Sequence, residues 1–110
     1  MTVTATVLLQ DRYISNTEAA LFTASSVTII DAVTVTNISG AVLNFSLSII
    51  PSGVSADNKT VLIKSKDIRV GESYLCPELT GHVMSAASFL SGIASASDSL
   101  NIRVSGRVIT

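Results

Sequence analysis

Apolar and polar residues alternate along much of this chain with a period of two. Between Val42 and Pro51, Leu43, Phe45, Leu47 and Ile49 fall on one side, and Asn44, Ser46 and Ser48 on the other. Successive side chains of a β-strand point to opposite faces, so this run predicts a strand with one core face and one polar face. The C-terminal stretch repeats the pattern: Leu100, Ile102, Val104, Gly106 and Val108 alternate with Asn101, Arg103, Ser105 and Arg107. A one-residue slip there would bury two arginines, which fixes the register. Further strands are predicted over Thr2–Gln10, Ala19–Thr23, Val27–Thr36, Thr60–Ile68, Glu72–Leu75 and Ser88–Ala94, several of them dominated by Val and Ile. Turn-forming residues separate them at Asn37–Gly40, Pro51–Gly53, Val70–Glu72 and Ser97–Ser99. About eight short strands at this spacing predict an all-β fold, an antiparallel β-sandwich of Ig-like or jelly-roll-like type.

Two segments break the alternation. In Pro77–Met84 a proline precedes Leu79 and Val83, four residues apart, which predicts one short helical turn near 77–84 with Pro at its first position. Gly81 works against that turn. Residues Gly53–Lys59 are polar and irregular and predict an exposed loop. The 110 residues suit a single domain, 1–110. Residues 1–25 admit a second reading, as an N-terminal arm or a strand exchanged with a neighbour.

Composition changes the picture in one respect. Hydrophobic residues make up 47%, but charged residues only 14%, and the formal net charge is −1. Soluble domains carry about 25% charged residues. So weakly charged a surface resists association poorly: either neighbouring subunits cover part of it, which is the favoured expectation, or the protein works at low concentration. The seven Lys and Arg are scattered, without the concentrated positive footprint that specific nucleic-acid binding requires. Cys76 is the sole cysteine, so no intramolecular disulfide can form. Met1–Gln10 lacks the basic start of a secretory signal. The charge-free stretch from Ala32 to Ala56 is broken by Asn, Ser, Gly and Pro residues, so no membrane span is expected.

Candidate chemistry is sparse. His82 is the only histidine and lies six residues after Cys76. A Cys–His catalytic pair needs the base within hydrogen-bond reach and a third group to orient it. A structural zinc site needs four ligands, more than one Cys and one His supply. The expectation is a buried Cys76 at a strand end and His82 at a turn, with no catalytic residues, no metal and no cofactor. The eight carboxylates show no spaced pair, and the glycines form no phosphate-cradling loop. Tyr13, Tyr74 and the arginines are the residue types that anchor protein contacts, although a half-buried tyrosine with its hydroxyl at the domain edge is the simpler expectation. Lys64 and Lys66 alternate along one strand face, which fits a guarded edge strand and a plain solvated face equally. Three Asn-X-Ser/Thr sequences, at Asn37, Asn44 and Asn58, are expected to be chance matches to a glycosylation site.

Several phrases in the last three quarters of the chain carry a family resemblance. They are Thr28-Ile29-Ile30-Asp31, Val35-Thr36-Asn37, Ile49-Ile50-Pro51-Ser52-Gly53, Asn58, Ile63-Lys64, Gly71-Glu72-Ser73-Tyr74, Pro77-Glu78-Leu79, His82-Val83 and Ile102-Arg103-Val104-Ser105-Gly106. Together they span Val27–Thr110, and this region resembles small structural, virion-associated β-sandwich proteins of tailed bacteriophages. Val54 stands where that family has a second glycine. The resemblance implies a non-enzymatic protein, made in the host bacterial cytoplasm and located in the virion. It would assemble in multiple copies on the capsid, as decoration or stabilisation, or at the head–tail or tail assembly. Its partners would be copies of itself and other virion proteins, with no small-molecule substrate, no specific nucleic acid and no membrane.

Two other functions compete with that expectation. One is a receptor- or glycan-binding module of a fibre or adhesin, using loops Pro51–Lys59 and Pro77–Met84. The other is a hydrolase built on His82.

Overall fold

A computed structural model describes residues 1–110 as an all-β protein. The strands are β1 (Val3–Tyr13), β2 (Ala19–Thr23), β3 (Val27–Asn37), β4 (Leu43–Ile50), β5 (Val61–Ile68), β6 (Ser73–Tyr74), β7 (Val83–Met84), β8 (Phe89–Ala94) and β9 (Leu100–Ile109). They form two antiparallel sheets. The first runs β1-β9-β3-β6, with β7 also on β3, and the second runs β2-β8-β4-β5. β6 and β7 both pair with β3, Tyr74 opposite Val35 and Met84 opposite Thr28, so they are two ends of one interrupted strand. Counted that way there are eight strands, paired first with last, second with seventh, third with sixth and fourth with fifth. That is one long hairpin rolled into two facing sheets, a jelly roll.

The core lies between the sheets. Nineteen buried residues form one cluster, with Phe45 and Leu47 from β4, Leu90 from β8 and Leu100, Ile102 and Val104 from β9 among them. Leu100 to Gly106 keep the alternation expected of them, every even residue being buried. β3 changes parity partway along. Ile30 pairs with Gly106 and Ala32 with Ser105, so Asp31 is an extra residue. Thr28 and Ile30 are buried before this bulge, and Val33, Val35 and Asn37 after it.

Three expectations are corrected. Residues 77–84 contain no helix: Pro77–Gly81 make tight turns, with Leu79 N–H donating to Cys76 C=O and His82 N–H to Leu79 C=O. A helix cannot continue because β3 takes the backbone groups: Gly81 N–H donates to Ile30 C=O at 2.7 Å, and Ile30 N–H to His82 C=O at 3.0 Å. Leu79 is buried while Val83 is exposed, so the two do not share a face. The short strand β7, which opens on Val83, was not among the predicted strands. Lys64 and Lys66 also do not share a face. Phe45 pairs with Lys66 and Leu47 with Ile63, so two residues of β5, Lys64 and Ser65, oppose Ser46 alone. Ser65 takes up this bulge at φ 49°, leaving Lys64 on the outer side with Ser46 and turning Lys66 inward. Finally, Ser48, expected on a polar face, is buried, because residues of the 51–60 loop lie over that side of β4.

Candidate functional site

Cys76 and His82 are not brought together as a reactive pair. Cys76 is fully buried, and its S–H donates to Tyr74 C=O at 3.7 Å. Burial, aided by the Glu78 carboxylate, pushes its thiol up to about 12, away from the thiolate a nucleophile requires. His82 is exposed on the turn that rests on Ile30. No group of three or more His, Cys, Asp and Glu side chains is placed to hold a metal.

Tyr74 has a structural position. Its hydroxyl donates to the Glu78 carboxylate at 2.8–2.9 Å, its ring meets Phe45 edge-on at 6.3 Å, and the Lys66 ammonium lies 4.9 Å from the ring centre. The hydrogen bond to Glu78, then burial, raises the phenol to about 12. This group closes the seam between β6 of the first sheet and β5 of the second. Tyr13 is exposed at the far end of β1.

The two loops considered as a receptor site are apart. Residues 77–82 lie along β3, whereas Ala56, Asp57 and Asn58 arch over the outer face of the second sheet, and no depression is lined by both. The depression under Ala56–Asn58 has a volume of about 190 Å³. Its lining includes Glu18, Ser46, Ser48 and Lys64, and Glu18 is engaged by the Ser91 hydroxyl.

Asn37, which matches a glycosylation sequence, is fully buried and fully bonded. Its Nδ2 donates to Ala41 C=O and Ile68 C=O, and its Oδ1 accepts from Ser39 N–H and Oγ. Its backbone joins Glu72 and Gly71. It locks the ends of β3 and β5 together. The signal in the sequence was Asn-Ile-Ser-Gly, an Asx-turn pattern at a strand end.

The surface with most contact potential is the outer face of the first sheet. Val3 pairs with Ile109 and Ile109 with Val27, forming one row across three strands. Ala5, Arg107, Ile29 and Val83 form the next row on the same face. Val3, Val27 and Val83 are 40–60% exposed. Within these two rows the only charge is Arg107, which Asp31 neutralises in a salt bridge of 2.9 Å, while Arg103 lies further along the same face. This apolar strip runs out to the free edge of β1. Single exposed apolar side chains are ordinary, but a contiguous strip is a mark of interaction. The sequence concealed it, because Val3, Val27 and Val83 are far apart along the chain and meet only through strand pairing. In comparisons with known proteins the chain matches no family model, no curated protein and no solved structure.

Proposed function

We propose that this chain is a non-enzymatic structural subunit of a tailed-phage particle. It assembles in multiple copies on the capsid or at the head–tail or tail assembly. The observation that carries the assembly part is the weakly charged apolar strip of Val3, Ile109, Val27 and Val83, open to solvent and continuous with a strand edge. Removing apolar area from water contributes about 25 cal/mol per Å², so such a strip can hold subunits together without special chemistry. The particle itself is supplied by the phage resemblance of Val27–Thr110. The jelly-roll architecture is compatible with it, since capsid proteins use this fold, as do lectins and cupins.

Mass analysis of purified virions from the phage whose genome encodes the chain tests this reading. The expected result is the intact chain in many copies per particle; particles lacking it would sink the proposal.

One observation favours a second reading, a glycan- or receptor-binding module: the depression beside Asp57 and Asn58 offers hydroxyl, carboxylate, amide and ammonium groups within one lining. It has no aromatic side chain on which a sugar ring could stack. A glycan array without signal would eliminate it.

A further inference from the structure

The sheets end laterally on β1, β2, β5 and the short β6 and β7. Most of these edges are blunted. β2 has five residues and a register shift, β6 and β7 have two residues each, and β5 is shifted twice and carries Lys64, Lys66 and Asp67. The far half of β1 has register shifts after Val7 and after Leu9, and its Arg12 reaches across to the other sheet. Such devices keep strand edges from pairing with other chains. Val3–Val7 has none of them. Its five residues pair with β9 without a shift, carry no charge and are all exposed on an open edge.

Its backbone is set for a partner. Thr2 and Thr110 exchange both hydrogen bonds, at 2.6 and 2.9 Å. The alternation of an antiparallel ladder then points the N–H and C=O of Thr4 and Thr6 at β9, and those of Val3, Ala5 and Val7 outward. The sequence of this segment is Val-Thr-Ala-Thr-Val, which reads the same in both directions. We propose that two copies of the chain pair antiparallel through Val3–Val7, about a two-fold axis at Ala5. The inference rests on the assembly reading and names the surface it uses.

About a two-fold axis at its centre, a palindromic segment meets its own residue types. With the axis at Ala5, Ala5 faces its own copy, Val3 faces the partner's Val7, and Thr4 faces the partner's Thr6. Valine meets valine on the outer face and threonine meets threonine on the other, both favourable cross-strand pairs. The two five-stranded sheets become one, and the apolar row of Val27, Ile109 and Val3 continues into the partner's Val7. The contact is isologous, so it closes as a dimer and leaves no edge to propagate. Five residues bury less than a standard interface, so the pair is weak in dilute solution and strengthened where copies are held side by side.

Sedimentation of the full chain from about 10 µM to about 1 mM tests the proposal, this being the range where a short interface dissociates. The average mass is expected to climb towards the dimer. Ala5→Lys puts like charges face to face at the axis and should hold the chain monomeric; because Ala5 also lies opposite Arg107 in the chain's own sheet, its melting temperature should fall by at most about a few degrees. Ala5→Cys gives a second readout. Opposed residues in an exchanging pair have Cα atoms about 5.5 Å apart, within disulfide reach. Oxidation should cross-link this variant at least about tenfold faster than Thr4→Cys, whose partner is Thr6. Cys76, being buried, should contribute no background.

A wild-type chain that stays monomeric to about 1 mM, association that Ala5→Lys leaves intact, or equal cross-linking of the two cysteine variants would each overturn the edge pairing. None of these results touches the virion assay. An Ala5-dependent dimer in a protein missing from virions would sink the phage reading alone.

Discussion

Arg12 on β1 donates from Nη1 to the Leu21 carbonyl of β2 at 3.0 Å, and from Nη2 to Ala20 at 3.3 Å, fastening the first strand of one sheet to the first of the other. Asp11, just before it, has φ 54° and absorbs a bulge. The opposite seam has the same construction, with Ser65 at φ 49° followed by Lys66 over Tyr74. Each seam is closed by a cation that a bulge has turned inward.

Arg12→Met keeps the aliphatic stem and removes two charge-assisted hydrogen bonds. Stability should fall by about 1–2 kcal/mol in urea titration, discounted for the exposure of the site. Lys66→Met should cost less, under about 1 kcal/mol, because an exposed cation–π contact is weak.

Asn37→Ala leaves Ile68 C=O, Ala41 C=O and Ser39 N–H without their side-chain partner. Buried unsatisfied groups are costly, so a loss of about 2–3 kcal/mol is expected on denaturant unfolding. An Asn44→Ala variant, changed on an exposed strand face, should lose under about 0.5 kcal/mol.

Gly106 and Gly92 should respond unequally to alanine. A Cβ on Gly106 would sit 2.2 Å from the Ile29 carbonyl oxygen, so β9 would have to part from β3. On Gly92 it would meet side-chain methyls of Leu47 at 2.8 Å and Leu21 at 3.0 Å, which can turn aside. Gly106→Ala should cost about 3 kcal/mol or more, or prevent folding, and Gly92→Ala about 1–2 kcal/mol. Thermal melts of the two variants against wild type decide it.

Alkaline pH should weaken the fold. The Cys76 thiol is raised from 9.0 to about 12 and the Tyr74 phenol from 10.0 to about 12. The folded state therefore holds these protons more tightly than the unfolded chain. The stability tied to them is complete below pH 9 and is lost as pH climbs through the folded-state values near 12. Melting temperature should decline over that window, and Cys76→Ala should flatten the decline while leaving part of it to Tyr74.

The all-β sandwich was legible in Leu43–Leu47 and Leu100–Gly106, because side-chain alternation is a local property of extended backbone, whereas the choice of jelly roll over Ig-like topology came only from the strand pairing. That Cys76 would be buried also followed from residue type, whereas Lys64 and Lys66 fitted an edge strand and a solvated face equally, and only the strand order makes β5 an edge. The bulges at Asp31 and Ser65 were not legible, since an extra residue is defined only against a partner strand. For the same reason the sequence could not tell that Lys64 and Lys66 part company, that Pro77–Gly81 turns instead of coiling, or that β6 and β7 share one partner. The proposed pairing edge divides in the same way. The palindrome Val3–Val7 is written in the sequence alone. Only tertiary pairing decides that this stretch lies on an open edge, with its outward N–H and C=O groups free and Val27 and Val83 beside it, because β9 and β3 fill the other side of the ladder.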